Sequence, residues 1–127
     1  MCGICGELRL DGAAPDLAAL GRMTDTLARR GPDDDGRYLH QIGNGLLALL
    51  HKRLSVIDLS SGGHQPKTSS DGRYTIVFNG EIYNYKELLA QLKKLGKTFY
   101  SQSDTEVLLQ AWIEWGTAAL PMLEGMF

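Results

Sequence analysis

Five consecutive apolar residues, Leu46-Leu47-Ala48-Leu49-Leu50, constrain the fold of this 127-residue chain more than any other feature. A run without polar alternation reads as a strand covered on both faces. The segments around it supply neighbours and cover. Residues 3–10 read as a first strand, and Asp11-Gly12 and Pro15 punctuate the loop after it. Leu17, Leu20, Thr24 and Leu27 fall on one helical face, so residues 17–29 read as an amphipathic helix with Asp16 as N-cap. Gly31-Pro32 stops that helix, Asp33 to Gly36 form a polar loop, and residues 37–42 read as a strand.

The second half repeats the mixture. Residues 58–72 are rich in Ser, Gly and Asp and read as one long loop, a length often reserved for function. Tyr74 to Phe78 is a strand by β-propensity. Asn84 with Glu87 caps a helix striped by Leu88, Leu89, Leu92 and Leu95, and Gly96 ends it. Ser103 with Glu106 forms a capping box before a helix lined by Val107, Leu108, Ala111, Trp112 and Trp115. The class is α+β or layered α/β, with paired strands under helices.

Length fits one domain, and 43% hydrophobic with 22% charged residues is ordinary for a folded soluble protein. A net charge of −2 gives no electrostatic reason to expect nucleic acid or an anionic membrane as partner. No apolar run approaches the roughly 18 residues of a membrane span, and the N-terminus lacks the regions of a signal peptide. Two cysteines three residues apart make no disulfide scaffold, so a reducing, cytoplasmic compartment is expected. The apolar end Gly125-Met126-Phe127 suggests truncation, or else a terminus tucked into a core.

Cys2 is the first residue with chemistry. If Met1 is removed, the Cys2 thiol and α-amine sit on one residue. The amine titrates at about 8 and a free thiol at about 8.5, so the amine can take the thiol proton at modest cost. A cysteine in second place is, taken alone, most often incidental. Asn79-Gly80 follows the 74–78 strand and reads as a hairpin turn, or as a side-chain amide beside an unhindered backbone N–H. Paired donors of that kind can hold the oxyanion of an acyl-transfer intermediate, with the Glu81 carboxylate close by. Arg53 can fork onto a carboxylate or pair with a surface Asp. Asp104, in the first turn of a helix, can complement the helix dipole or accept from a ligand amine.

Other chemistries lack support. Cys2-Gly3-Ile4-Cys5 is formally a CxxC, but no strand precedes it and no helix follows it. A zinc site would need two more ligands, and His40, His51 and His64 are scattered. Cys5 reads as a small buried side chain. No Gly-x4-Gly-Lys-Ser/Thr phosphate loop occurs.

Seven segments then occur in order: Met1-Cys2-Gly3-Ile4, Arg30-Gly31-Pro32-Asp33, His51 to Asp58, Gln65-Pro66, Phe78 to Asn84, Ser103-Asp104-Thr105-Glu106 and Gly125-Met126-Phe127. Together they resemble the glutaminase domain of glutamine-hydrolysing asparagine synthetase. That domain is a class II glutamine amidotransferase of the N-terminal-nucleophile type. The resemblance spans essentially residues 1–127, read as one such domain. It implies an α+β fold, a layered αββα sandwich of antiparallel sheets, shortened here at its C-terminal end. It implies that Cys2 attacks the side-chain amide of glutamine, with its α-amine relaying the proton directly or through a water. It implies that Asn79 and Gly80 hold the oxyanion and that a γ-glutamyl thioester forms and is hydrolysed. Arg53 would bind the α-carboxylate, Glu81 and Asp104 the α-ammonium, and the Val56–Ile57 backbone would complete the pocket. The Arg53-Leu54-Ser55 form resembles the asparagine synthetase branch rather than other amidotransferases of the class.

Ammonia would feed an ATP-dependent synthetase. No cofactor is expected in these residues, and ATP and Mg are implied for the absent synthetase domain. Aspartate is the default acceptor, with other carboxylates open. Missing strands would leave an open edge that invites association, a second copy of the chain being one such partner. The competing function is a non-catalytic binding or assembly module on the same fold. The intact set Cys2, Arg53, Asn79, Gly80 and Asp104 favours the enzyme.

Overall fold

The computed structural model describes residues 1–127, and they divide into two compact units. The first comprises Met1–Ser55, His64–Pro66 and Val77–Asn79. Its frame is an antiparallel sheet of β1 (Gly3–Arg9), β2 (Asp34–Ile42) and β3 (Gly45–Arg53), with helix α1 (Leu17–Thr26) between the first two in sequence. Strand order is β1-β3-β2, so the apolar run lies in the central strand. No residue of β3 is exposed, but its faces differ: Ala48 and Leu50 are buried in a cluster with Leu20 of α1, while Leu47 and Leu49 are only half-buried, so the strand is fully covered on one face.

Helix α1 packs on β1 and β3, where Cys5, Leu20, Ala48 and Leu50 form a buried cluster joined by Leu27. Burying one such leucine stabilises the unit by about 1.5–3 kcal/mol. Asp16 caps α1, accepting from the Ala19 N–H at 2.9 Å. The helix stops at Thr26, short of residue 29, because the N–H groups of Leu27, Ala28 and Arg30 turn back to carbonyls three residues earlier. Leu17 begins the helix but is exposed, so the buried stripe is Leu20 and Thr24 with Leu27 beside it. Asp34, Asp35 and Gly36 belong to β2 and not to a loop, since they continue the ladder opposite Arg53, Lys52 and His51. Polar composition misleads there because the pairing is made by backbone groups, whatever the side chains.

The second unit comprises Val56–Gly63, Lys67–Ile76 and Gly80–Phe127. It holds β4 (Lys67–Thr68) paired with β5 (Thr75–Ile76), and β6 (Glu81–Ile82) paired with a strand at Gly125–Met126. Between these lie helices α2 (Tyr85–Lys94) and α3 (Asp104–Trp115), followed by a 3₁₀ segment, Gly116–Met122. The C-terminal strand is β7. The helices pack on each other over Leu88, Leu92, Val107, Leu109 and Ala111. Only Thr75 and Ile76 of the 74–78 stretch pair with a strand. Residues 58–72 are mainly loop, interrupted by a 3₁₀ turn at Ser61–Gly63 and by β4.

The helix stripes shift from expectation at their edges. Leu95 is exposed and Trp112 is 40% exposed, while Leu109 is buried. Asn84 does occupy the N-cap position of α2, but its side chain makes no cap bond. It donates instead to the Met122 carbonyl at 2.9 Å and accepts from the Glu124 N–H at 3.1 Å. Ser103 caps α3 through the Thr105 N–H at 3.1 Å. Glu106 does not complete the box; it accepts from the Tyr100 and Ser101 N–H groups and the Ser101 hydroxyl. The class is α+β with antiparallel sheets throughout. No helix is long and apolar enough to cross a membrane.

Candidate active site

The register of β1 on β3 fixes where the N-terminal cysteine lies. Gly3 stands opposite Lys52, so the residue before it meets the chain leaving β3. There the Cys2 Sγ accepts from the Leu54 N–H at 3.4 Å and lies 3.8 Å from the Leu54 carbonyl. Gly3 itself packs tightly on Leu27, where an added Cβ would meet Leu27 Cβ at 2.8 Å. Arg30 Nε donates to the Cys2 carbonyl at 3.1 Å. Asp33 ties the same corner, its N–H donating to the Arg53 carbonyl at 3.0 Å and its carboxylate accepting from the Ser55 N–H at 2.7 Å.

A cavity of about 290 Å³ opens at this corner, lined by Cys2, Gly3, Ile4, Leu27, Arg30 and Asn79. Cys2 and Asn79, far apart in sequence, thus line the same cavity. Arg53, the last residue of β3, is buried and directly precedes the Leu54 backbone that holds the thiol. Cys5 faces away into the core with its sulfur 3.3 Å from the Thr24 hydroxyl, and both cysteines are free thiols.

Two side chains hold the residue before Asn79. The Phe78 N–H donates to Gln65 Oε1 at 2.6 Å, and His51 Nε2 lies 3.2 Å from the Phe78 carbonyl. A carbonyl only accepts, so Nε2 carries the hydrogen. Nδ1 is buried without a partner, and the whole ring is 1% exposed. Burial holds the His51 pKa below its ordinary value. The Phe78 bond and Asp34 act against that shift, while Arg53 and His64 add to it.

In the second unit the candidates are Val56, Ile57, Gly80, Glu81 and Asp104. Asp104 opens α3 and accepts from the Ile82 N–H at 3.0 Å. Burial first, and the charge of Glu81 as well, push the Asp104 pKa up, against the bonds from Ile82 and Thr105. A carboxylate held up in this way is what a bound cation relieves. The neighbouring acids are engaged by backbone and hydroxyl donors. Glu106 is occupied by Tyr100 and Ser101, and Asp58 by Ser60 and the Gln102 N–H. Val56 is exposed and Ile57 half-buried, so their side chains offer no enclosed surface.

Sequence reasoning gave no role to Arg30, Asp33, His51 or Gln65. All four lie inside the ordered segments that carried the resemblance, and His51 was weighed only as a scattered metal ligand. Arg30 and Asp33 bond the backbone of Cys2 and Arg53, and His51 and Gln65 bond that of Phe78, next to Asn79.

The whole chain, residues 1–127, matches the family model described as glutamine amidotransferase domain. It is 41% identical, over all its length, to asparagine synthetase [glutamine-hydrolyzing] 3 of Bacillus subtilis (strain 168), and covers 20% of that protein. It is 42% identical to asparagine synthetase [glutamine-hydrolyzing] 1 of the same organism, again over the whole chain and 20% of the relative. A probable asparagine synthetase [glutamine-hydrolyzing] of Schizosaccharomyces pombe is 37% identical over 98% of the chain and 22% of its own length. The chain spans about a fifth of the length of these relatives.

Proposed function

This chain belongs to the glutamine amidotransferase domain family, and from that premise we propose that it hydrolyses glutamine to glutamate and ammonia with Cys2 as nucleophile. The observation that carries the reading is that Cys2 and Asn79 line one cavity. Removal of Met1 frees the Cys2 α-amine. The thiol proton passes to that amine as the sulfur bonds to the side-chain carbonyl carbon of glutamine. The Asn79 amide and the Gly80 N–H receive the oxyanion. The C–N bond breaks, the amine returns the proton, and ammonia leaves a γ-glutamyl thioester. Water then attacks the thioester, releasing glutamate and restoring the thiol.

A zwitterionic amino acid needs a fixed cation and a fixed anion. Arg53 supplies the first for the α-carboxylate. Glu81 and Asp104 supply the second for the α-ammonium, the role that a mutually repelling carboxylate pair suits. The Val56–Ile57 backbone contributes polar groups to the pocket.

The relatives' names, asparagine synthetase [glutamine-hydrolyzing], support a further step in which the ammonia goes into asparagine, with aspartate as the proposed acceptor. That step would call on ATP and magnesium, for which a synthetase domain would be needed. Here no group of three or more His, Cys, Asp or Glu could hold a metal ion, and no step proposed above uses one. The layered αββα sandwich is the architecture proposed with this reading. A cytoplasmic setting and association with a second copy accompany the reading.

The test is ammonia release from glutamine by protein whose intact mass shows loss of Met1, together with labelling of Cys2 by a glutamine-analogue electrophile. Stoichiometric labelling and equal yields of glutamate and ammonia support the proposal. Folded, Met-free protein that neither labels nor releases ammonia overturns it in favour of a binding or assembly module.

A further inference from the structure

We infer that His51 and Gln65 are positioning residues for Asn79, holding both backbone polar groups of Phe78 so that Asn79 stays in the lining of the Cys2 cavity; this rests on the glutaminase reading above. The residue before Asn79 has both backbone polar groups taken by side chains, N–H to Gln65 and C=O to His51. In a strand those bonds would go to a neighbouring strand, but pairing of this stretch ends at Ile76. Two side chains therefore replace a strand at the point where the oxyanion donor is presented.

Both clamps are anchored to the first sheet. His51 lies in β3 opposite Gly36 of β2. The Gln65 backbone lies directly over Gly36, where an added Cβ would stand 2.9 Å from both the Gln65 carbonyl carbon and the His64 ring. One row of the sheet thus supports both grips. Gln65 is 5% exposed and His51 1% exposed, so water cannot readily replace either. A ring chosen for packing alone would have no polar atoms to bury. Here Nδ1 is buried without a partner, and the one bond the ring makes is to Phe78.

The experiment is steady-state glutamine hydrolysis by the Met-free protein carrying His51→Leu or Gln65→Leu, compared with His51→Gln, which keeps a donor, and Gln65→Glu, which keeps an acceptor. Misplacing an oxyanion donor costs turnover more than binding. The expected result is a fall in kcat of about 10–100-fold with KM changed less than about threefold. The conservative variants are expected to recover most of the loss. In an Asn79→Ala background, His51→Leu is expected to cost almost nothing more, because the residue it positions is gone. A full-rate His51→Leu enzyme, or equal losses with and without Asn79, overturns the inference while leaving the glutaminase reading intact. Where His51→Leu does not fold, the Gln65→Leu and Gln65→Glu pair reads the same clamp, and a full-rate Gln65→Leu overturns it. Wild-type protein that is folded, Met-free and inactive overturns the glutaminase reading instead.

Discussion

The Cys2 sulfur lies 3.4 Å from the Leu54 nitrogen, so the nucleophile is held by the residue that follows the buried Arg53. A bond from a rigid strand end to a chain terminus restrains a segment that would otherwise fray. Cys2→Ala is expected to reduce ammonia release to background, because nothing else in the cavity is a nucleophile of comparable strength. The thermal midpoint should change little, since the sulfur makes only weak contacts with one backbone unit. Ammonia assay and thermal unfolding on the same preparation check both halves, and turnover above background in the variant contradicts the mechanism.

Arg53→Lys tests the carboxylate grip with the positive charge kept. Losing the fork removes a charge-assisted hydrogen bond worth about 1.5–3 kcal/mol. The expected outcome is a KM for glutamine about 10–150-fold higher with kcat nearly unchanged. A large fall in kcat at constant KM would assign Arg53 to the chemical step instead.

Asp104 sets stability against binding. Its folded pKa is raised above the ordinary 3.8 by burial and by Glu81. The folded chain therefore holds that proton more tightly than the unfolded chain. Its contribution to stability is fullest below about 3.8 and is lost as pH rises through the folded value. Asp104→Asn should keep the bond from the Ile82 N–H, raise the unfolding midpoint at neutral pH, and lose that advantage as pH falls toward 4. The same variant should raise the KM for glutamine. Paired denaturation curves and kinetics would expose a failure of either half.

His51 has the opposite sign. Its folded pKa is lowered from the ordinary 6.5, chiefly by burial. The unfolded chain takes the proton first, so this contribution is present above about 6.5 and fades as pH falls toward the folded value. Asp34, Arg53 and His64 are the charged or titratable neighbours acting on it. Subtracting the His51→Gln stability curve from the wild-type curve between about pH 5 and 7.5 isolates the effect. A flat difference would mean that the ring is not buried neutral in solution.

Much of this molecule could be read from sequence where one residue type decides the outcome locally. Asp16 and Ser103 cap their helices because short acceptor side chains reach backbone N–H groups at helix starts. The central strand followed from an apolar run, of which Ala48 and Leu50 are buried. What escaped depended on partners distant in sequence. Asn84 occupies the cap position, yet its amide bonds near residues 122–124. Phe78 has strand propensity, yet its bonds go to His51 and Gln65. Residues 34–36 looked like a loop because their side chains are polar, while their pairing belongs to the backbone. The roles proposed for Cys2, Asn79, Arg53 and Asp104 were legible as chemistry in an ordered set of segments. The supports beneath them were not, because a positioning residue carries no chemical signature of its own.

The order β1-β3-β2 has a dynamic corollary. A central strand opens only when two ladders break together, so β3 should belong to the slowest-exchanging backbone in its unit. Arg53 and His51 both ride on that strand. The grip on a substrate carboxylate and the support under Asn79 therefore draw on the same restrained backbone. Thermal fluctuation that loosens a terminus or a loop reaches these two groups last.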